Sequence, residues 1–160
     1  MLSNGHISSR YATAFFLATK EAGEEDRVYT EMKLLNENLF QFPDIKKLLP
    51  NKLMGQTEKI DLLITAAGKT ICGSLTKFLK FLDEKGRLEY IHNIALEYLK
   101  LYRKEKNIVC IELTTAVKLD KETIEKIRQL ISKRQKAVVE INESVNPDII
   151  GGFVFEMEHE

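Results

Sequence analysis

The chain has 160 residues, 44% of them hydrophobic, with 24 basic side chains balanced by 24 acidic ones. That is enough apolar material for one compact domain, or a larger domain with a small appendage, and it excludes a disordered composition. The charge balance nearly holds on each side of Lys106, so no general field draws the chain onto polyphosphate, and no apolar run of about 18 residues could span a membrane.

Up to about Glu105 the apolar spacing is helical, and beyond Lys106 it is mixed. Ser8 or Ser9 is expected to cap a first helix with Ile7, Tyr11, Ala14, Phe15 and Ala18 on one face, ended by Gly23. A second helix from about Glu24 carries Val28, Met32, Leu35 and Leu39, with acidic residues crowding its first turn as the helix dipole favours. Pro43 and Pro50 bracket a short helix, Asp44 to Leu49. A fourth, from about Gln56, points Ile60, Leu63, Ile64 and Ala67 inward. Gly68 and Gly73 punctuate the chain before a fifth, Ser74 to Lys85, with Leu75, Phe78, Leu79 and Leu82. Gly86 breaks it, and a sixth runs to about Glu105 through Ile91, Ile94, Ala95, Tyr98 and Tyr102. Six helices with short connectors predict a bundle over residues 1–105.

Residues 106–160 read differently. Ile108 to Leu113 is rich in β-branched residues and too dense for a surface helix, so it is expected to be a strand. Asp120 then caps a helix bearing Ile124, Ile127 and Ile131, and Ala137–Ile141 and Phe153–Met157 are two further strands. The expected fold is therefore mainly α: a six-helix bundle followed by a small β-α-β-β, α+β domain that leans on a partner for stability. Gly151 and Gly152 are expected to form a turn or bulge with positive φ.

Residues that tempt a chemical reading fall short of one. Gly68-Lys69-Thr70 ends like a phosphate-binding loop, the alternative being a P-loop-like nucleotide-binding enzyme. The glycine required five residues earlier is Leu63, and the preceding run is helical where a P-loop follows a strand. His6, His92 and His159 are scattered, so no metal is expected, and no nucleophile elbow or Ser-His-acid set can be recognised. Lys133-Arg134-Gln135-Lys136 could touch anionic lipid, or phosphate in a nucleic-acid-binding helical domain, but a helix C-terminus attracts such cations anyway. Cys72 and Cys110, in segments of different type, read as reduced core residues. Met1 to Arg10 lacks the pattern of a secretory signal, and the chain reads as soluble and cytoplasmic.

Four segments, in order along nearly the whole chain, resemble one family. They are Arg10-Tyr11-Ala12-Thr13-Ala14-Phe15, Phe81-Leu82-Asp83-Glu84-Lys85-Gly86-Arg87-Leu88, Leu113-Thr114-Thr115-Ala116-Val117-Lys118-Leu119, and the tail Val145 to Phe155 with its Ile149-Ile150-Gly151-Gly152-Phe153. They are similar to the opening helix, the break between helices five and six, the end of the first strand and the Gly-Gly-Phe signature of the delta subunit of F-type ATP synthases. The mitochondrial counterpart is the oligomycin-sensitivity-conferring protein. Lys118 stands for a usual Pro and Asn146 for a common Asp. Family members continue into a further C-terminal helix, whereas this sequence stops at Glu160, as a truncated chain or an abbreviated second domain would; contacts through that helix are not carried over.

The resemblance implies a non-catalytic stator subunit without cofactor, joining the catalytic head to the peripheral stalk and resisting rotor torque during ATP synthesis. It implies that the helical domain binds the N-terminal helix of an alpha subunit and that residues 106–160 bind the stalk's b subunits. No nucleic acid is implied, and membrane contact is only indirect, on the cytoplasmic side of the inner (cell) membrane. On the first helix Phe16 lies opposite the Ile7–Tyr11–Ala14 stripe, and on the fifth Phe81 lies outside the inward stripe. Helices apolar on more than one side need more than one packing partner. The expected groove therefore lies between helices one and five, with Tyr11, Ala14, Phe15, Ala18, Phe78, Leu79, Phe81 and Leu82 as its residues. Spacing alone would put Tyr11, Phe15, Phe78 and Leu79 in the core; the resemblance moves Tyr11, Ala14 and Phe78 towards the groove. Arg87 is expected to cap the helix before it or to contact a partner.

Overall fold

The computed structural model describes residues 4–157. The protein is mainly helical, with a small three-stranded sheet towards its C-terminus. It divides into two compact units, one ending at Tyr102 and one beginning at Arg103. The boundary falls within a helix.

The first unit holds α1 (Asn4–Ala22), α2 (Glu25–Gln41), α3 (Asp44–Leu48), α4 (Gln56–Ala66), α5 (Gly73–Glu84), a 3₁₀ turn at Leu88–Tyr90 and most of α6 (Ile91–Lys106). Its core follows the helical spacing closely. Val28, Met32, Leu35 and Leu39 of α2, Leu75, Leu79 and Leu82 of α5, and Ile91, Ile94 and Tyr98 of α6 are completely buried. Tyr98 is the hub: its ring lies 5.5 Å from both Phe15 and Phe16, edge-on to the latter. Its hydroxyl is satisfied by Thr19 Oγ1 at 2.8 Å, as a buried phenol requires.

The first helix departs from expectation. Ser8 and Ser9 lie inside α1 rather than at its cap, and the buried face is Ser8, Ala12, Phe15, Phe16 and Thr19. Ile7 and Tyr11 are half-buried, while Ala14 and Ala18 are exposed. The two aromatic neighbours Phe15 and Phe16 turn the helix about a third of a turn from the position that the Ile7–Ala18 stripe suggested, because Tyr98 takes both rings.

Three glycines close helices in the same way. At Gly23, Gly68 and Gly86, all with positive φ, the glycine N–H and that of the next residue reach back to carbonyls of the preceding last turn (Gly86 to Asp83 at 2.9 Å, Arg87 to Leu82 at 2.8 Å). This is a Schellman closure, for which a residue without Cβ is preferred. It accounts for Gly68-Lys69-Thr70, which terminates helix α4 instead of following a strand.

The N-terminus of α5 is capped from a distance. Cys72 supplies no side-chain cap; instead Glu31 of α2 accepts from the Cys72 N–H at 2.9 Å, and Glu24 accepts from both the N–H and the hydroxyl of Ser74. Two carboxylates at a helix N-terminus satisfy orphan donors and suit its dipole, and here they tie α5 to the start of α2. The Ser74 hydroxyl, donating to Glu24, is the main cause holding that carboxyl below its ordinary pKa of 4.5. A lowered folded pKa contributes stability that is complete above the unfolded value and is lost as pH falls through the folded one. Glu24→Gln is therefore expected to flatten the acid limb of the stability–pH curve below about pH 4.5. Helicity at 222 nm across pH 3–7 in urea would check this, and an unchanged slope would mean the cap carries no folding free energy.

In the second unit β1 (Ile108–Thr115), α7 (Lys121–Gln135), β2 (Val138–Val145) and β3 (Phe153–Met157) follow the tail of α6. The sheet order is β2-β1-β3, with β1 parallel to β2 through α7 and antiparallel to β3. Ile111 stands beside Ile141 and Met157, and Leu113 beside Phe155, so these residues share one sheet face, on which Ile111 and Leu113 are buried. Asp120 caps α7 by accepting from the Thr123 N–H at 2.6 Å. The second strand begins one residue later and runs four further than the spacing suggested, since its pairing with β1 continues to Thr115 opposite Val145. Gly151 and Gly152 both have positive φ, as the turn before β3 required. His159 lies outside the described residues.

Cys72 and Cys110 are both buried, and neither forms a disulfide among the described residues. Burial pushes the Cys72 thiol up to about 11, so its reactive thiolate is scarce near neutrality. A chromogenic thiol reagent at pH 8 should label the native chain only at the rate of opening and should label both residues at once in denaturant. Rapid native labelling would contradict this packing.

Candidate partner-binding site

Helices α1 and α5 pack antiparallel. Phe15 stacks on Phe78 with centroids 3.9 Å apart and planes 4° from parallel, and Tyr11 tilts against Phe81 at 6.1 Å. The first pair closes the interior. The second borders an open pocket of about 390 Å³ lined by Ile7, Arg10, Tyr11, Ala14, Phe81 and Arg87.

The eight expected residues separate into two groups. Tyr11, Ala14 and Phe81 come together around the pocket, and Phe81 keeps 41% of its surface exposed. Phe15, Phe78, Leu79 and Leu82 lie in the core; Leu79 and Leu82 have no exposed surface at all, and Phe78 retains 8%. Ala18 is exposed on α1 but does not line the pocket. For Phe15 the cause is the rotation of α1, whereas Phe78, Leu79 and Leu82 lie on the inward stripe of α5. With Phe15 and Phe16 turned in, the Ile7–Tyr11–Ala14–Ala18 row becomes the outward apolar face, continued by Leu17 at 55% exposure.

Arg10 was missing from the expected set, and Arg87 was expected only as a cap of the preceding helix or a partner contact. Arg10 lies on the same face of α1 as Ile7, Tyr11 and Ala14, so reading the outward face at positions 7, 10, 11 and 14 would have included it. Arg87 caps α5 through its backbone N–H, which leaves the side chain at the pocket; its guanidinium lies 5.8 Å above the Tyr90 ring. Lys85 adds a third cation, 5.7 Å from the Phe81 centroid. The pocket is thus an apolar floor with a basic rim, and no carboxylate is among its lining residues.

Chemically this arrangement can hold an apolar side chain and its helix, but it offers no nucleophile or acid–base pair. Among the described residues no group of three or more His, Cys, Asp or Glu could hold a metal, and no helix is long and apolar enough to cross a membrane.

The family model for the ATP synthase delta (OSCP) subunit matches residues 7–160. The chain is 34% identical over 149 residues to the ATP synthase subunit delta of Parabacteroides distasonis, covering 93% of this chain and 83% of the relative. It is 36% identical over 155 residues to that of Bacteroides fragilis, covering 96% and 83%. A chain in the cryo-EM structure of the Toxoplasma gondii mitochondrial ATP synthase hexamer has the same fold, with a TM-score of 0.67 at 21% identity over 92% of this chain and 83% of that one.

Proposed function

The chain belongs to the ATP synthase delta (OSCP) subunit family, a component of the peripheral stalk, and on that premise we propose how it performs as a stator. The helical unit, read as the family's six-helix bundle, grips the N-terminal helix of an alpha subunit in the pocket between α1 and α5. The second unit, read as the β-α-β-β domain, binds the b subunits of the stalk. The chain does no chemistry itself, and sits on the cytoplasmic side of the membrane through the complex.

The observation that carries this reading is the partly exposed apolar row on α1 beside Phe81. From Ile7 to Ala18 the row extends roughly 17 Å, at about 1.5 Å per residue, which suits three turns of an incoming amphipathic helix. A stator must hold without turning over, and burial of large apolar side chains, each contributing roughly 1.5–3 kcal/mol, supplies affinity without a cofactor. After the entropy of association, four or five such contacts leave nanomolar binding within reach.

The test is binding to the purified catalytic hexamer of the same organism, with intact alpha subunits and with their first twenty or so residues removed. Stable one-to-one association with the intact hexamer, lost on trimming, is the expected result. Equal binding to both would place the contact elsewhere.

A further inference from the structure

The basic rim of the pocket is not explained by apolar docking. Arg10 and Arg87 line the same space, and among the described residues neither makes an ion pair. A helix laid over Tyr11 and Phe81 would cover part of both guanidinium groups and remove water from them. An arginine desolvated without an acceptor opposes binding, whereas one given a carboxylate gains a charge-assisted, bidentate pair. Pocket-lining residues supply no such acceptor, so the occupant must.

We propose that the occupant is an amphipathic helix carrying a carboxylate beside its apolar stripe, and that Arg10 and Arg87 bind that carboxylate. This rests on the docking reading above and adds what it selects for. The apolar floor supplies affinity, and the arginine pair supplies register along the groove, because only one placement of the helix brings the acid to the basic end. A purely apolar groove would let the helix slide by a turn, whereas a charge contact at one end discriminates against that shift.

The probe is a synthetic peptide of the first twenty or so residues of the alpha subunit, titrated calorimetrically into the full chain. Each Asp and Glu of the peptide is changed in turn to its amide. On the protein side the variants are Arg10→Gln, Arg87→Gln and Arg87→Lys. One peptide amide is expected to weaken binding about tenfold, each arginine-to-glutamine change by a similar factor, and Arg87→Lys by less. In the double-mutant cycle the losses should not add, since removing the acid leaves the arginines nothing to lose. That non-additivity is a readout a merely structural role of Arg87 over Tyr90 would not produce. Tight binding that no amide change alters, or losses that add independently, overturns the inference while the docking reading stands. Failure of the unmodified peptide to bind the folded chain removes both.

Discussion

Phe81→Asp is expected to weaken binding of the alpha-subunit N-terminal helix at least about a hundredfold while barely changing the stability of the free chain. Phe81 faces the pocket with 41% of its surface exposed and meets Tyr11 at 6.1 Å. In a complex that ring would sit near the centre of the contact, where aromatic residues carry most of the binding free energy. Docking newly buries only the exposed part of the ring, worth roughly 1 kcal/mol, and an unpaired carboxylate left in the apolar floor costs at least roughly 2 kcal/mol more. With about 1.4 kcal/mol per tenfold, the two terms exceed a hundredfold. The free protein keeps the same position half in water, so a change of less than about 1 kcal/mol is expected there. Tyr11→Ala should act in the same direction, with a smaller loss. Titration alongside thermal melting separates these outcomes: a large drop in melting temperature with Phe81→Asp would make that ring part of the core and deprive the pocket of its floor.

Leu79→Ala presents the converse. Leu79 lies two residues from Phe81 on the same helix, yet it is completely buried. Removing a fully buried leucine typically destabilises by about 2–5 kcal/mol, a large share of the roughly 5–15 kcal/mol that holds a domain together. Phe78→Ala should fall in a similar range, about 3–5 kcal/mol, because it also unstacks Phe15. Two compact units make a single two-state transition a poor assumption, and the chain has no Trp. Urea unfolding followed by helicity at 222 nm reports chiefly on the first unit, which holds most of the helix. Peptide affinity measured below the transition should remain near wild type. A stable Leu79→Ala variant that no longer binds would move Leu79 from the core to the docking surface.

Much of the fold is legible in spacing alone, since burial at a 3.6-residue period and glycine punctuation are local signals. Val28, Met32, Leu35 and Leu39 were all read as one inward stripe and are all completely buried. The switch from helical to mixed patterning near Lys106 is likewise visible, because β-branched density and a helix period do not coexist over six residues. The first helix resisted the same reading. Its sequence is apolar on two sides, and periodicity cannot say which side faces in; that choice depends on Tyr98, a partner some eighty positions away. The site was therefore legible as a pair of helices but not as a set of residues. Tyr11, Ala14 and Phe81 were drawn together with Phe15, Phe78, Leu79 and Leu82, although a single α5 turn carries both a core position and a pocket position. The long-range caps on α5 were beyond reach for a related reason: no local pattern marks Glu24 or Glu31 for this role, and only the packing of two helices brings them to Ser74 and Cys72.

The most direct measurement is calorimetric titration of the full chain with the alpha-subunit N-terminal peptide, paired with the same titration of the Phe81→Asp variant. Saturable one-to-one binding that disappears in the variant, with both proteins equally folded by circular dichroism, is the predicted result. Absence of binding to the well-folded wild-type chain, or binding that survives an aspartate at position 81, would contradict the claim that the pocket between α1 and α5 is the clamp.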